Sequence, residues 1–400
     1  MLKINSFFHR QRFCNLLNRW FVDDFRPEDP LLIKQIVNFN AISLKHYLEK
    51  LSIKILKQRY QSPIIKIPVR QKKQLKDAII RYPMSTTART NYLIEKYVQN
   101  PQNYYLQTPL EGNIYYTIVK GKRRFIGANR MKRMKRIAEK ASRKVIELLF
   151  SEIIKRAEAK AQQRAERLGV NLNYLVSSAA EMEKEFIESE GEVLRTIRDR
   201  SLALAPNGIS INDVGGMKII VPDREIAGFI DRLNELPYLN IREIETHSGN
   251  YNATNVVVEY FINKDEMTAK PPPETILKVL ESRGMQRYDI SRFWRKFYHS
   301  AEDSLWFEFI IANYEDLLES EIGRAMHETR IITQRNLQNY HGHLAKNVEY
   351  LIEYILQFAQ SPSYRIDAIP FKLWGKYIPD FFEIVKRNLY GVPTHFGIGW

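Results

Sequence analysis

The spacing of apolar residues divides the chain into a helix-rich first part and an alternating second part. In the first hundred residues apolar side chains recur at helical intervals, through Ile33 and Ile36 and again through Leu48 and Leu51. This period predicts helices. Three prolines between residues 63 and 83 should divide the region into short pieces.

The middle of the chain predicts a β-hairpin followed by long helices. Residues 113–126 are typical of two strands joined by a turn at residues 120–122. The run NRMKRMKRIAEK should then open a helix, and residues 145–200, rich in helix formers and free of proline, predict one or two long helices. A turn signal at residues 206–208 ends them.

Beyond residue 210 short β-branched runs alternate with amphipathic segments. We predict strands at residues 217–222, 254–262 and 304–312, and helices at 223–235, 274–283 and 314–358. Strands that alternate with helices are typical of an α/β fold.

The composition is that of a soluble globular protein, with 44% hydrophobic and 27% charged residues. No apolar run reaches the roughly 18 to 20 residues that a membrane span needs, so we expect no membrane partner. The single cysteine, Cys14, excludes an intrachain disulfide and a cysteine-based zinc site, and fits a cytoplasmic location. The basic, amphipathic start of the chain could be a targeting peptide, but it lacks a continuous apolar stretch and Asp23 and Asp24 follow closely. We therefore expect it to be the first helix of the protein.

Positive charge is concentrated in the first part of the chain. Residues 1–150 hold 31 Lys and Arg against 10 Asp and Glu, whereas the remaining residues hold 30 against 36. Such an excess favours a phosphate-bearing partner. The basic region is either a structural or regulatory domain or a docking site for RNA. Tyrosine pairs at 104–105 and 115–116, near Arg123 and Arg124, suit base stacking and a hairpin core equally well.

Two carboxylates are the strongest candidates for chemistry, since the sequence contains no P-loop, dinucleotide-binding, nucleophile-elbow or HExxH motif. Asp213 precedes a predicted strand, and Gly215 and Gly216 would let the backbone approach a phosphate. Glu308 lies inside a strand with apolar residues on both sides. Carboxylates near the ends of neighbouring strands predict a Mg²⁺ site shared with phosphates. Exposure of Glu308 on an edge strand is the alternative.

Four cationic residues could hold those phosphates. They are Arg130, Lys132, Arg136 and Lys140. Positions 132, 136 and 140 are four residues apart and should share one helix face.

These features occur in segments that resemble the motifs of the RelA/SpoT-type alarmone synthetase domain, in the same chain order. The run RMKRMKRIAEK, residues 130–140, is similar to the family's ATP-contacting segment. Arg130, Lys132 and Lys140 are in step with it, and Arg136 replaces a small hydroxyl residue.

Three further segments carry the resemblance. INDVGGMKII is similar to the strand whose aspartate binds Mg²⁺, which corresponds to Asp213, with Lys218 at the family's arginine. GNYNATNVVVEY resembles the segment whose tyrosine stacks on guanine, here Tyr251. WFEFII and the downstream RAMHE resemble a strand with a catalytic glutamate and a later histidine, here Glu308 and His327.

The chain departs from the family pattern at three positions. Asn252, Asn255 and Ile310 stand where the family usually has Arg, His and Gln. The family's hydrolase partner domain depends on a His-Asp pair, and this sequence contains no His-Asp dipeptide. The resemblance therefore implies a chain with synthetase activity only.

The resemblance implies an α/β fold of the α+β kind, with a mixed-sheet, nucleotidyltransferase-like domain flanked by helices. This domain would span residues 121–335 with a helical insertion at 145–205. A basic, mainly helical region at 1–120 would precede it, and a helical extension at 336–400 would follow.

The implied activity is transfer of pyrophosphate from ATP, with Mg²⁺, to the 3′-hydroxyl of a guanine nucleotide or a related acceptor such as a tRNA 3′ end. The alternative is a non-catalytic nucleic-acid-binding protein with a degenerate synthetase-like domain. By the resemblance, the catalytic residues are Asp213, Glu308 and Lys218, the phosphate-binding residues are Arg130, Lys132, Arg136 and Lys140, and the acceptor-binding residues are Tyr251, Asn255 and His327.

Overall fold

A computed structural model describes residues 2–200, 209–249, 251–336, 342–378 and 380–391, in which helices flank a mixed β-sheet. The helices are α1 (Arg10–Phe21), α2 (Asp29–Arg59), α3 (Lys72–Arg81), α4 (Ala88–Gln99), α5 (Met134–Arg167), α6 (Ala179–Arg198), α7 (Asp223–Asn234), α8 (Asp265–Thr268), α9 (Glu274–Ser282), α10 (Arg287–His299), α11 (Tyr314–Ile322), α12 (His327–Asn336), α13 (His343–Gln360) and α14 (Phe381–Leu389). Within those ranges, none of the helices combines the length and apolarity that crossing a membrane requires.

Seven strands form the main sheet in the order β2-β3-β4-β6-β9-β8-β7, and β1 pairs with β5 separately. The strands are β1 (Leu2–Ile4), β2 (Ile65–Gln71), β3 (Pro109–Val119), β4 (Lys122–Met131), β5 (Ile209–Ile211), β6 (Gly215–Ile220), β7 (Leu239–His247), β8 (Ala253–Phe261) and β9 (Ser304–Ala312). Within the main sheet β6 and β9 run parallel and the other neighbours are antiparallel, so the predicted mixed α/β architecture is confirmed.

The basic N-terminal region contributes strands to this sheet. Its β2 and β3 continue the sheet beyond β4, and residue 120 lies in the turn between β3 and β4. The expectation of helices alone was wrong for residues 65–71. Pro68 suggested a break, but a proline is tolerated here because β2 is an edge strand with one unpaired side.

The other edge strand, β7, was not predicted either. Its pairing with β8 shifts register between Ile241 and Glu243. This bulge breaks the two-residue alternation that identifies a strand in a sequence. The strands predicted near residues 217, 254 and 304 are all present.

The expected helices also form, with different limits. The long basic helix α5 begins at Met134 rather than at the start of the basic run, because β4 continues to Met131. Residues 145–200 are shared between α5 and α6. The turn expected at residues 206–208 lies outside the described residues.

Different sets of helices pack against the two faces of the sheet. Met217, Ile219 and Phe309 point into the larger core, formed with α2, α5 and α13. A smaller core lies under α3, α4 and α11. Side chains alternate along a strand, so Lys218 and Glu308 point to this second side. Next to the smaller core, the same side of the sheet opens into a cleft.

Candidate active site

A cleft of about 1000 Å³ opens over strands β4, β6, β9 and β8, between α5 and α12. Nine Lys and Arg side chains and five Asp and Glu side chains line it. Nine of the ten site residues predicted from the sequence are among its lining residues, and Lys218 is the exception. The net charge of the lining favours an anionic ligand.

Asp213 lies at the floor of the cleft, in the loop between β5 and β6. Lys132 and Lys140 both donate to its Oδ2 atom, while its Oδ1 atom is buried and has no partner among the described residues. Burial alone would raise the pKa of Asp213, but the two ammonium groups outweigh burial and hold it below its usual range. The carboxylate is therefore ionised, with one oxygen free to bind a ligand.

Glu308 faces the same cleft from the middle of the sheet. Its strand, β9, lies between β6 and β8, so the alternative of an exposed edge strand was wrong. Glu308 is paired with Val257 of β8 on one side and with Gly216 of β6 on the other. Among the described residues no hydrogen bond or ion pair reaches the Glu308 carboxylate, although Lys132 acts on it electrostatically. A second carboxylate is thus available to a ligand.

The two carboxylates fit the requirements of Mg²⁺. This ion is usually bound by one or two carboxylates and completes its coordination with water and substrate phosphates. The free Oδ1 of Asp213 and the unpaired Glu308 supply that donor set. No group of three or more His, Cys, Asp or Glu side chains suited to a metal occurs in the described part of the chain.

The glycines of the INDVGGMKII segment serve strand packing. A Cβ atom on Gly215 would lie 3.2 to 3.3 Å from side chains of Leu48, Met131 and Phe307. A Cβ atom on Gly216 would lie 2.7 Å from the carbonyl oxygen of Glu308. The expectation that they admit a phosphate was wrong, because protein atoms already fill the space beside them.

The four predicted phosphate-binding residues come from three local structures. Arg130 is the penultimate residue of β4, Lys132 lies in the following loop, and Arg136 and Lys140 belong to α5. The expectation that Lys132 lies on the helix was wrong, because its backbone N–H continues the strand pairing by donating to Val214. All four side chains still line the same cleft.

Lys218 lies beneath the cleft, in a small cavity that it shares with Glu308 and Glu321. Its Nζ atom is 2.6 Å from Glu321 Oε1 and donates to Ser320 Oγ at 3.0 Å. Burial lowers the pKa of Lys218 to about 8, and Glu321 opposes that shift. The resemblance assigns Lys218 a catalytic role, whereas the structure places its side chain in a buried ionic cluster.

Glu321 is the centre of that cluster. Lys72 lies 3.4 Å from its carboxylate, and Lys76 donates to its backbone oxygen. Burial would raise the pKa of Glu321, but the surrounding lysines, Lys218 first, hold it well below its usual value. Glu328 extends the network to the wall of the cleft through an ion pair with Lys72 at 2.8 Å.

Tyr251 and Asn255 form the opposite wall. The guanidinium of Arg330 lies 3.8 Å from the centre of the Tyr251 ring, and the ring of His247 lies 5.5 Å from it. Asn255 approaches His247 Nε2 at 3.2 Å through its Nδ2 atom, which leaves its buried Oδ1 without a partner. Asn252 points elsewhere and donates to Asp316.

His327 joins the two walls at the start of α12. Its Nε2 atom is 3.3 Å from Arg130 Nη2. Because a guanidinium only donates, Nε2 is the acceptor and the ring proton belongs on Nδ1. Burial, followed by the charge of Arg130, lowers the pKa of His327 well below its usual value, so the ring is neutral.

Unpartnered polar atoms are concentrated at this cleft. Seven buried side-chain nitrogen or oxygen atoms lack a hydrogen-bond partner among the described residues, and five belong to residues that line the cleft. One of the five, Glu328 Oε1, is nevertheless ion-paired with Lys72 Nζ at 2.8 Å. The other four belong to Arg143, Asp213, Asn255 and Arg330. Buried polar groups normally have partners, so their concentration here indicates a ligand site.

Sequence reasoning missed Arg143, His247 and Arg330. Arg143 follows Arg136 by seven residues on α5, so the helical period of the basic face could have indicated it. Arg330 is three residues beyond His327 on α12. Nothing in the local pattern distinguishes His247, which reaches the cleft at the end of an edge strand.

Most of the tyrosines proposed as stacking platforms in the basic region belong to the two hydrophobic cores. Tyr104, Tyr115 and Tyr116 are buried, and only Tyr105 is exposed. At the hairpin turn Lys120, Lys122 and Arg123 are exposed, and no ion pair among the described residues involves them.

Comparison of the chain with protein-family models, with curated proteins and with solved structures found no match.

Proposed function

We propose that this cleft transfers pyrophosphate from ATP to a hydroxyl group of a guanine nucleotide or of an RNA 3′ end. One observation carries the proposal: two carboxylates with free oxygen atoms, Asp213 and Glu308, lie together in a cleft with an excess of cationic side chains. The ordered motifs that resemble RelA/SpoT-type synthetases supply the reaction class. A nucleotidyltransferase-like core and a cytoplasmic location are part of the same proposal.

The donor triphosphate lies against β4 and α5. Arg130 and Arg136 offer N–H donors there. Arg130 now contacts the neutral His327, and Arg136 contacts Gln334 and the Glu139 carboxylate at 3.1 Å; charge-assisted bonds to phosphate are stronger than the two neutral contacts. Lys132 and Lys140 neutralise Asp213 in the present arrangement. Both ammonium groups therefore lie close to the position of a phosphate bound at Asp213.

Asp213 and Glu308 would hold Mg²⁺, which supplies charge neutralisation for the phosphates when bound. The chain's residues position the reactants. The acceptor oxygen attacks the β-phosphorus of ATP, the bond between the α-phosphate bridging oxygen and the β-phosphorus breaks, and AMP leaves. Glu308 takes the proton of the hydroxyl. Such transfers depend on alignment and on the stabilisation of charge.

The acceptor occupies the wall formed by β7, β8 and α12. Its base stacks against the paired side chains of Tyr251 and Arg330, and the free Oδ1 of Asn255 accepts a hydrogen bond from it. Base-stacking contacts of this kind are worth about 1–3 kcal/mol each. His327 keeps Arg130 oriented between the two reactants.

Incubation of the purified protein with labelled ATP and Mg²⁺, together with GDP, GTP or tRNA, tests the proposal. We expect label on at least one acceptor and loss of that product in Asp213→Ala. Label on no acceptor, with Asp213→Ala behaving like the wild type, would remove the enzymatic function.

The exposed cations of the hairpin turn favour a second candidate function, RNA binding without catalysis. Arg123 lies over the rings of Tyr82 and Tyr116 at 5.4 and 5.7 Å, and Lys120 and Lys122 flank it. Binding of RNA through these side chains should weaken steeply as salt is raised. A flat salt response, or unchanged affinity in Lys120→Gln/Lys122→Gln, would exclude it.

A further inference from the structure

Two arginines of the cleft are not used by the proposed transfer of the donor's phosphates. Arg143 projects from α5 and donates from Nη2 to the backbone oxygen of Gln334 on α12 at 3.0 Å. Arg330 precedes Gln334 by four residues, which is about one helical turn. Both side chains line the cleft beside α12, Arg143 through its bond to Gln334 and Arg330 from the helix itself.

In both arginines, Arg143 and Arg330, the Nε atom is buried and lacks a hydrogen-bond partner among the described residues. The Nε edge of a guanidinium, with the adjacent Nη, forms the fork that binds two oxygen atoms of a phosphate or carboxylate. Tyr251 lies under the Arg330 guanidinium and limits its movement. Two arginine side chains with free inner donors thus line the cleft beside α12.

We propose that Arg143 and Arg330 bind a single phosphate group of the acceptor, at a position separate from the donor's triphosphate. The inference rests on the proposed function, because it assigns the second substrate of that reaction. The phosphate is either the monoester of a free nucleotide or the phosphodiester before the terminal nucleoside of an RNA. Tyr251 is then also a positioning residue, since its ring holds Arg330 in place.

The charge on the wall formed by β7, β8 and α12 favours an acceptor with a single phosphate. Arg330 is the only Lys or Arg among the cleft-lining residues that the structure describes on β7, β8, α12 and the loop between the two strands. Glu245 lines the same wall, and Glu147 lies one turn after Arg143 on α5. On that wall a diphosphate or triphosphate on the acceptor would meet Glu245 with no lining cation beyond Arg330 among the described residues, while the α5 cations Arg136 and Lys140 hold the donor in the proposed function. We therefore expect GMP or an RNA end to bind better than GDP or GTP.

Calorimetric titration of the full chain with four probes tests this assignment. The probes are GMP, GTP, a short RNA oligonucleotide with a free 3′-hydroxyl, and tripolyphosphate, which reports on the donor site. Arg143→Gln and Arg330→Gln should each weaken GMP or oligonucleotide binding by about tenfold or more, with tripolyphosphate affinity unchanged within about twofold. Comparison of GMP with the oligonucleotide identifies the source of the phosphate.

Two variants serve as controls. Arg292 on α10 also lies over an aromatic ring, that of Phe293 at 5.1 Å, but does not line the cleft, so Arg292→Gln should bind every probe normally. Arg330→Lys keeps the charge without the fork and should lose most of the GMP affinity while retaining the wild-type melting temperature. It distinguishes a binding role from a defect in folding.

Three results would overturn the assignment. They are normal GMP and oligonucleotide binding in both glutamine variants, an equal loss of tripolyphosphate binding in them, or no binding of GMP or oligonucleotide to the wild type. Failure of tripolyphosphate to bind the wild type would instead count against the proposed function.

Discussion

Gly216 lies directly beside Glu308 in the parallel pairing of β6 and β9, with only 2.7 Å between the Glu308 carbonyl oxygen and the position that a Cβ atom would take on Gly216. Only glycine lets the two strands approach this closely. The close pairing brings the Glu308 carboxylate next to the loop that carries Asp213, and both line one cleft. The strand pairing and the candidate site therefore depend on the same residue.

Gly216→Ala should lower the free energy of unfolding by about 1–3 kcal/mol, because the new methyl group forces the strands apart. Gly191→Ala is the matched control. Gly191 lies within α6, and nothing is within 4 Å of its Cβ position, so alanine there should stabilise the protein by about 0.5–1 kcal/mol. Urea denaturation of both variants measures the difference. An unchanged stability in Gly216→Ala would contradict the close strand contact.

Glu321→Gln should lower the stability by about 3–5 kcal/mol, since it leaves buried lysines without their counter-charge. Chemical denaturation measures this effect. Glu383→Gln removes an exposed ion pair with Lys386 and should change stability by less than about 0.5 kcal/mol. Equal effects of the two substitutions would show that the Lys218–Glu321 cluster is not buried in solution.

The contribution of Asp213 to stability should depend on pH. Its pKa is lower in the folded protein than in the unfolded chain, so the folded state binds the proton less readily. The stabilisation is present above the unfolded pKa, near 4, and is lost as the pH falls toward the lower folded value. The difference in unfolding free energy between wild type and Asp213→Asn should therefore shrink from pH 7 to pH 3. A difference that stays constant or grows would contradict the ion pairs with Lys132 and Lys140.

Tight binding of a divalent metal should require both carboxylates. With Mn²⁺ as a paramagnetic probe and ATP present, we expect Asp213→Asn and Glu308→Gln each to weaken metal binding by about tenfold or more. Electron paramagnetic resonance measures the free Mn²⁺. Glu245→Gln is the control, because its side chain lines the same cleft but is 61% exposed and lies on the opposite wall. If all three variants behave alike, the proposed metal site is wrong.

The sequence predicted the strands and helices whose residue pattern can be recognised within a short segment. The strand that follows Asp213 and the strand that carries Glu308 are predicted by short β-branched runs, and the basic face of α5 is predicted by its helical period. Sequence order also indicated which segments line the cleft. Edge strands β2 and β7 were missed because a proline and a bulge disturb their patterns.

The partners of charged side chains could not be predicted in the same way. The pairing of Lys218 with Glu321, and of Arg330 with Tyr251, joins segments about eighty to a hundred residues apart in the chain. No periodicity specifies such contacts, because they arise only when the sheet and α12 pack together. Lys218 was therefore placed in the transfer site by resemblance, although its side chain lies below the cleft.

The most direct test of the pyrophosphate-transfer proposal is the position of the label that moves from ATP. In parallel reactions with Mg²⁺ and the acceptors, ATP labelled at the α-, β- or γ-phosphate should give products that contain β and γ label in equal amounts and no α label, with AMP released. Product that carries γ label alone or α label, or no product from any acceptor, would contradict the account.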